Sequence, residues 1–126
     1  VDYCKNKGHE AYLIKNSIFP FKDSIFDSAI FDNVIEHLSD PHELLIEIRR
    51  VLTIEGVLIV GIPGRRGFIT DQSHKKYYNW LELKRTLDEF GFRSIDCLYS
   101  PLRSNFLKKI LNNIVYMEYS QKVLIQ

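Results

Sequence analysis

In the second half of the stretch SIFDSAIFDNVIEHL, residues 24–38, four side chains are of types that move protons or hold charged ligands: Asp32, Asn33, Glu36 and His37. An imidazole titrates near neutrality, so His37 can take a proton from a substrate hydroxyl or amine. The adjoining Glu36 carboxylate can orient that ring or balance a positive charge. The same pair also reads as groups that only tie a loop to neighbouring backbone, and Asp32 or Asn33 as a cap for the turn that follows. A metal-binding reading is the poorest, because two adjacent residues cannot close a coordination shell and no third ligand is evident. No metal is therefore expected.

The elements around these residues decide whether they can form a site. Ser28, Ala29, Ile30 and Phe31 make a run short and apolar enough for a strand buried on both faces, and Asp32 and Asn33 end it. Asp40-Pro41-His42-Glu43 is a strong helix start, with Asp at the N-cap, Pro in the first turn and Glu able to reach back. Leu44, Leu45, Ile48, Val51 and Leu52 then recur on one helical face, and Gly56 ends the turn after the helix. A second doubly apolar strand, residues 57–62, completes a β-α-β unit whose strands should be parallel. In such a sheet, ligands bind at the carboxyl edge of the strands. Residues 32–37 are thus expected to line a site.

On either side the reading is plainer. Residues 3–7 look like a helix end stopped by Gly8, which leads to the expectation that chain precedes Val1. Residues 9–14 suggest a short strand, and Phe19 and Phe21 flank Pro20 as core candidates. After residue 62 a flexible basic loop is expected to about Tyr78. A helix capped by Asn79 and Glu82 follows, with Trp80, Leu83, Leu87 and Phe90 on its apolar face, and then a strand over residues 92–99. A helix over 105–114, a turn at Asn112-Asn113 and a closing strand over 116–125 end the chain. His9 and His42 look superficial, and Trp80 reads as core.

Composition narrows the function classes. The 126 residues, 45% apolar and 26% charged, form one domain at most and contain no run long enough to span a bilayer. A net charge of +1 gives no global attraction to nucleic acid, so no nucleic-acid partner is expected. Cys4 and Cys97 stand far apart without a CxxC, which points to neither a zinc knuckle nor a disulfide framework and fits a reducing cytoplasm.

The ordered set Phe19-Pro20-Phe21, Ser24-Ile25-Phe26-Asp27, Val34-Ile35-Glu36-His37-Leu38, Asp40-Pro41 and Glu47-Ile48-Arg49-Arg50-Val51-Leu52, followed by Gly56 and Val57-Leu58-Ile59-Val60, resembles the class I S-adenosylmethionine-dependent methyltransferases. It looks most like their small-molecule branch, which includes quinone-biosynthesis enzymes. The resemblance implies a Rossmann-like α/β fold with strand order 3-2-1-4-5-7-6. Strands 3 to 7 are expected here and the first two are absent, so residues 1–126 would be a partial methyltransferase domain. The family's glycine-rich cofactor loop is lacking, and no GxGxG occurs in the sequence.

By that resemblance, Asp32, Asn33 and Val34 face S-adenosylmethionine, and Asn16 contacts its adenine. Lys15 stands where the family often has an acidic acceptor, and the usual Pro-Gly-Gly is reduced to Ile54-Glu55-Gly56. Residues 64–78, with Asp71, His74 and Tyr78 at the same kind of spacing, resemble the substrate-facing loop, which makes His74 a second candidate base beside His37 and Glu36. An exposed loop histidine is the alternative. Arg65, Arg66, Lys75 and Lys76 suit an anionic acceptor such as a carboxylate or phosphate, or are solvated surface.

The function implied is methyl transfer to a small-molecule O, N or C nucleophile. The alternative is an inactive remnant acting as an interaction or assembly module. A nucleotide-binding module of another class would need a phosphate loop, which the sequence does not offer. Without strand 1, the strand at 28–31 would keep an unpaired edge, so self-association is expected.

Overall fold

The computed structural model describes residues 1–99 and 121–125. A short helix, α1 (Asp2–Asn6), runs into Gly8, whose φ of +81° is the left-handed conformation that suits a glycine beyond a helix end. The centre of the fold is a β-α-β unit of β1 (Phe26–Asp32), α2 (His42–Val51) and β2 (Leu52–Ile62). The strands are parallel, in register from Ser28 opposite Val57 to Asp32 opposite Gly61. Helix α2 forms because Leu45, Ile48 and Val51 share one buried face. Its first turn is held by the Asp40 carboxylate, which accepts from the His42 N–H at 2.9 Å. Pro41 takes the N-cap position, one residue later than expected.

After β2 come α3 (Arg65–Thr70) and α4 (Trp80–Asp88). The capping box at the start of α4 is complete, with Asn79 Oδ1 accepting from Glu82 N and Glu82 Oε2 accepting from Asn79 N. The last strands, β3 (Ser94–Tyr99) and β4 (Gln121–Ile125), finish a four-stranded sheet ordered β1-β2-β4-β3. Strand β4 lies antiparallel between β2 and β3, as the resemblance implies for the final strand. Phe31, Leu45, Ile48, Leu58, Val60, Ile62, Leu83 and Leu87 form the core between the sheet and helices α2 and α4. Trp80, Phe19 and Phe90 are half-buried against it.

Several expectations need correction. Residues 9–14 form no strand: Tyr12, Leu13 and Ile14 are exposed, and only an isolated bridge joins Lys15 to Ile18. A strand needs a neighbour for its N–H and C=O groups, and no described strand lies beside this one. Strand β1 is not buried on both faces. Ala29 and Phe31 point into the core, whereas Ser28 is exposed and Ile30 is 74% exposed. Among the described residues β1 pairs with β2 alone, so its other edge is open.

Gly56 lies within β2 rather than in a turn before it. Two steps along β1, Phe26 to Ser28, face five along β2, Leu52 to Val57, so residues 53–56 bulge out. A Cβ on Gly56 would sit 2.9 Å from the Thr53 carbonyl oxygen and 3.2 Å from Leu52 Cβ, which explains the glycine by close approach. The loop expected at 64–78 is partly helical, through α3. The expected helix at 105–114, the Asn112-Asn113 turn and residues 116–120 of the closing strand lie outside the described residues.

Long-range hydrogen bonds fasten the Phe19-Pro20-Phe21 segment to α2. Glu47 Oε2 accepts from the Phe19 N–H at 2.9 Å, and both Glu47 oxygens accept from Arg50 at 2.7 Å in a bidentate pair. The same guanidinium donates to the carbonyls of Phe19 and Phe21 and to Asp23 Oδ1. Phe21 also meets Tyr12 and Phe26 edge-on, each at 4.9 Å between ring centroids.

Candidate functional site

Asp32 ends β1 at the carboxyl edge of the parallel pair, opposite Gly61. A Cβ on Gly61 would collide with the Asp32 carboxylate, so the absent side chain makes room for it. Asn33 turns the chain with φ +52°, donating its N–H to the Gly61 carbonyl and its amide to Asp32 Oδ1. Asparagine tolerates this left-handed conformation better than most residues, which accounts for its place at the turn. Val34 is at the surface, and a single 3₁₀ turn, Ile35–His37, follows.

That turn sends Ile35 and Glu36 inward. Glu36 is 1% exposed, and neither of its carboxylate oxygens has a hydrogen-bond partner. Burial pushes its carboxyl above the ordinary range. Its own backbone N–H and the nearby rings of His37 and His74 pull against that push, and Asp32 adds to it. The Glu36 main-chain oxygen has a separate task, accepting from the N–H groups of Lys75 and Lys76 at 2.7 and 3.1 Å. These two bonds clamp the second loop against the first.

The clamp brings His74 to the turn. Its ring is 7% exposed, stacks on Phe68 at 5.2 Å and lies 4.6 Å from the His37 ring, centroid to centroid. His74 Nδ1 lies 2.9 Å from the Phe68 carbonyl, which can only accept, so Nδ1 is the donor and the neutral ring keeps its lone pair on Nε2. That Nε2 lies 3.8 Å from Glu36 Oε1 and 3.7 Å from Asp71 Oδ2. His37 follows the same logic. Ser73 Oγ gives its one proton to Asp71 Oδ1 at 2.6 Å and therefore accepts from His37 Nδ1 at 3.0 Å. Both rings thus carry an Nε2 lone pair in the neutral form. The bonds from Ser73 also hold the Asp71 carboxyl below the usual carboxylate range.

The structure therefore gathers Glu36, His37 and His74, expected as catalytic residues, at the edge where Asp32, Asn33 and Val34 lie. Asn16 stays apart in its own turn, with φ +52°, and no described hydrogen bond or ring contact links it to this group. Asp71 is expected in the substrate-facing loop, but Ser73 and the positioning role that the two share carry no sequence signal, because their Asx turn is local while the ring it orients is 36 residues away. Tyr78 closes the same loop. It is buried, its hydroxyl lacks a partner, and burial, with nearby carboxylates, pushes its phenol up. Lys75 and Lys76 are exposed, and the Lys76 ammonium lies over the Tyr78 ring at 4.8 Å. His9 is exposed, and His42 is exposed with its ring edge-on to Phe90. No helix among the described residues is long and apolar enough to cross a membrane.

Residues 1–60 match the family described as "Methyltransferase domain". The chain is 29% identical over 103 residues to an uncharacterized protein of Methanocaldococcus jannaschii, covering 73% of this chain and 50% of that protein. It thus spans about half the length of that curated relative. Among solved structures it is similar to a SAM-dependent methyltransferase from Aquifex aeolicus, with a TM-score of 0.67 and 15% identity, over 98% of this chain and 59% of that one. It is also similar to a SAM-dependent methyltransferase from Thermotoga maritima described as a possible histamine N-methyltransferase. There the TM-score is 0.65 and the identity 21%, over 98% of this chain and 66% of that one. Identities this low speak for the fold, and the fold agrees with the family match at the other end of the argument. Residues 1–60 thus match the methyltransferase-domain family, and the fold of the chain is that of the Rossmann-like S-adenosylmethionine-dependent methyltransferases.

Proposed function

We propose that this chain supplies the acceptor-facing part of a site for S-adenosylmethionine-dependent methyl transfer to a small molecule. The observation that carries the reading is the meeting of Glu36, His37 and His74 at the carboxyl edge of β1, beside Asp32 and Asn33. Asp32, Asn33 and Val34 are assigned to the cofactor side, where exposed carboxylate and amide oxygens suit a sulfonium cation and its amino group. Asn16 is assigned to adenine through its amide oxygen. The reading treats residues 1–126 as a partial domain, with the glycine-rich loop outside them.

The cofactor, when bound, supplies an electrophilic methyl group. The chain's own residues then have two tasks, alignment and removal of a proton. The acceptor's proton can pass to an Nε2 lone pair of His37 or His74. Glu36, buried behind the rings, stabilises the imidazolium that results. The exposed cations Arg65, Lys75 and Lys76 favour an anionic acceptor. Cys4 and Cys97 stand far apart in the sequence without a CxxC, which fits a reducing, cytoplasmic setting.

Calorimetric titration of the chain with S-adenosylmethionine and S-adenosylhomocysteine tests the reading. Micromolar affinity that weakens on Asp32→Ala supports it. Affinity in the millimolar range or weaker overturns it for this chain and leaves an interaction module in its place.

A further inference from the structure

We propose that Glu36, His37 and His74 form a binding site for one divalent transition-metal ion of the zinc or cobalt type. Each offers one ligand atom, and the three atoms lie within 4.8 Å of one another. Two imidazole nitrogens and one carboxylate are a donor set that borderline ions take with a position left open for water or substrate.

The second and independent observation is the state of Glu36. A carboxylate that is 1% exposed should be hydrogen-bonded, yet both of its oxygens are without a partner. Its nearest cationic partner, His74 Nε2, is 3.8 Å away, too far for a hydrogen bond. Apart from its own backbone N–H, the protein brings no donor to this buried acceptor. A cation between the carboxylate and the two rings would answer that deficit.

The outer bonds are those a metal site needs. A ligating imidazole normally donates its other N–H to a carbonyl or to a carboxylate-linked group, which fixes tautomer and ring plane. His74 does so to the Phe68 carbonyl, and His37 does so to Ser73, itself bonded to Asp71. Asp71 adds a further carboxylate 3.7 Å from His74 Nε2. Bonds of about 2.0–2.2 Å to an ion require the three atoms to draw closer than they stand. Side-chain rotation at Glu36 and His37 can supply that closure while the Glu36 carbonyl keeps the two loops clamped. In the sequence the pair Glu36-His37 lacked a third ligand, and the fold delivers it from His74, 37 residues further on.

The inference stands apart from methyl transfer, since a chain with no affinity for S-adenosylmethionine would still bind the ion. Where both hold, the ion rather than an imidazole would polarise an acceptor oxygen. The test is titration of the 126-residue chain with Co²⁺, followed by visible absorption and by proton NMR of the histidine rings. Expected are saturation at one ion per chain and paramagnetic shifts confined to two of the four histidines, His37 and His74. Zn²⁺ should displace the cobalt spectrum. His74→Gln and His37→Gln should each weaken binding by more than about 100-fold and Ser73→Ala by about 10-fold, the second-sphere range. Equal broadening of His9 and His42, no binding below the millimolar range, or unchanged affinity in both glutamine variants would overturn it. The NMR readout uses the unaltered chain, so a variant that fails to fold does not remove the test.

Discussion

Glu47→Gln is the substitution whose effect can be worked furthest from the structure. The Glu47 carboxyl is drawn down to about 2 from 4.5, chiefly by its hydrogen bonds to Arg50 and next by the Phe19 N–H. A depressed carboxyl stabilises the fold above its unfolded value, and the contribution fades as pH falls through the folded value. The window therefore runs from about 4.5 down to about 2. That gap sets a ceiling of about 3 kcal/mol. The Glu47 side chain is 15% exposed and its Arg50 partner 27%, so screening reduces the figure to about 1–2 kcal/mol. Urea unfolding followed by circular dichroism should show Glu47→Gln destabilised by that amount near neutral pH. The difference should shrink as the solution approaches the acid end of the window. An equal difference across the whole range would show that the lost contribution is packing rather than charge. No difference at neutral pH would show that the bidentate pair holds nothing in place.

Two further outcomes follow from the same geometry. Gly61→Ala puts a methyl group where the Asp32 carboxylate sits, and should lower stability by about 1–3 kcal/mol in thermal or urea unfolding and weaken cofactor affinity with it. A stable Gly61→Ala variant with full affinity would show that Asp32 moves freely and does not position the edge. The open edge of β1, with Ile30 74% exposed, should make the isolated chain self-associate as concentration rises, and Ile30→Lys should suppress this. Gel filtration giving a clean monomer at every concentration would refute the pairing.

What could be read from the sequence was whatever local order expresses. The β-α-β unit announces itself because two apolar runs flank a helical repeat of Leu45, Ile48 and Val51, and Asn79 with Glu82 spells a cap within one turn. Partners distant in sequence leave no such trace. Residues 9–14 have strand-like composition, but a ladder depends on a neighbour that composition cannot specify. Ile30 reads as core beside Phe31, and only the pairing with β2 reveals which face is covered. Glu47 and Arg50 lie off the apolar face formed by Leu45, Ile48 and Val51, where charged side chains usually meet solvent. They instead reach about thirty residues back to hold Phe19, Phe21 and Asp23.

The candidate site shows the same limit in its sharpest form, because one residue serves it through two different groups. The backbone carbonyl of Glu36 fixes the second loop through Lys75 and Lys76, and the side chain of the same residue points toward the ring of His74 that this clamp brings in. Replacing the side chain leaves the clamp intact, since a peptide carbonyl does not depend on residue type. Glu36→Gln should therefore keep the loop in place while removing the buried charge, which separates positioning from chemistry in a single substitution. If it preserves the His37–His74 ring contact yet abolishes ion or acceptor binding, the carboxylate acts on what the site holds. If the rings separate, the carboxylate is itself part of the frame, and the chemistry assigned to this edge of the sheet must be rebuilt around the two histidines alone.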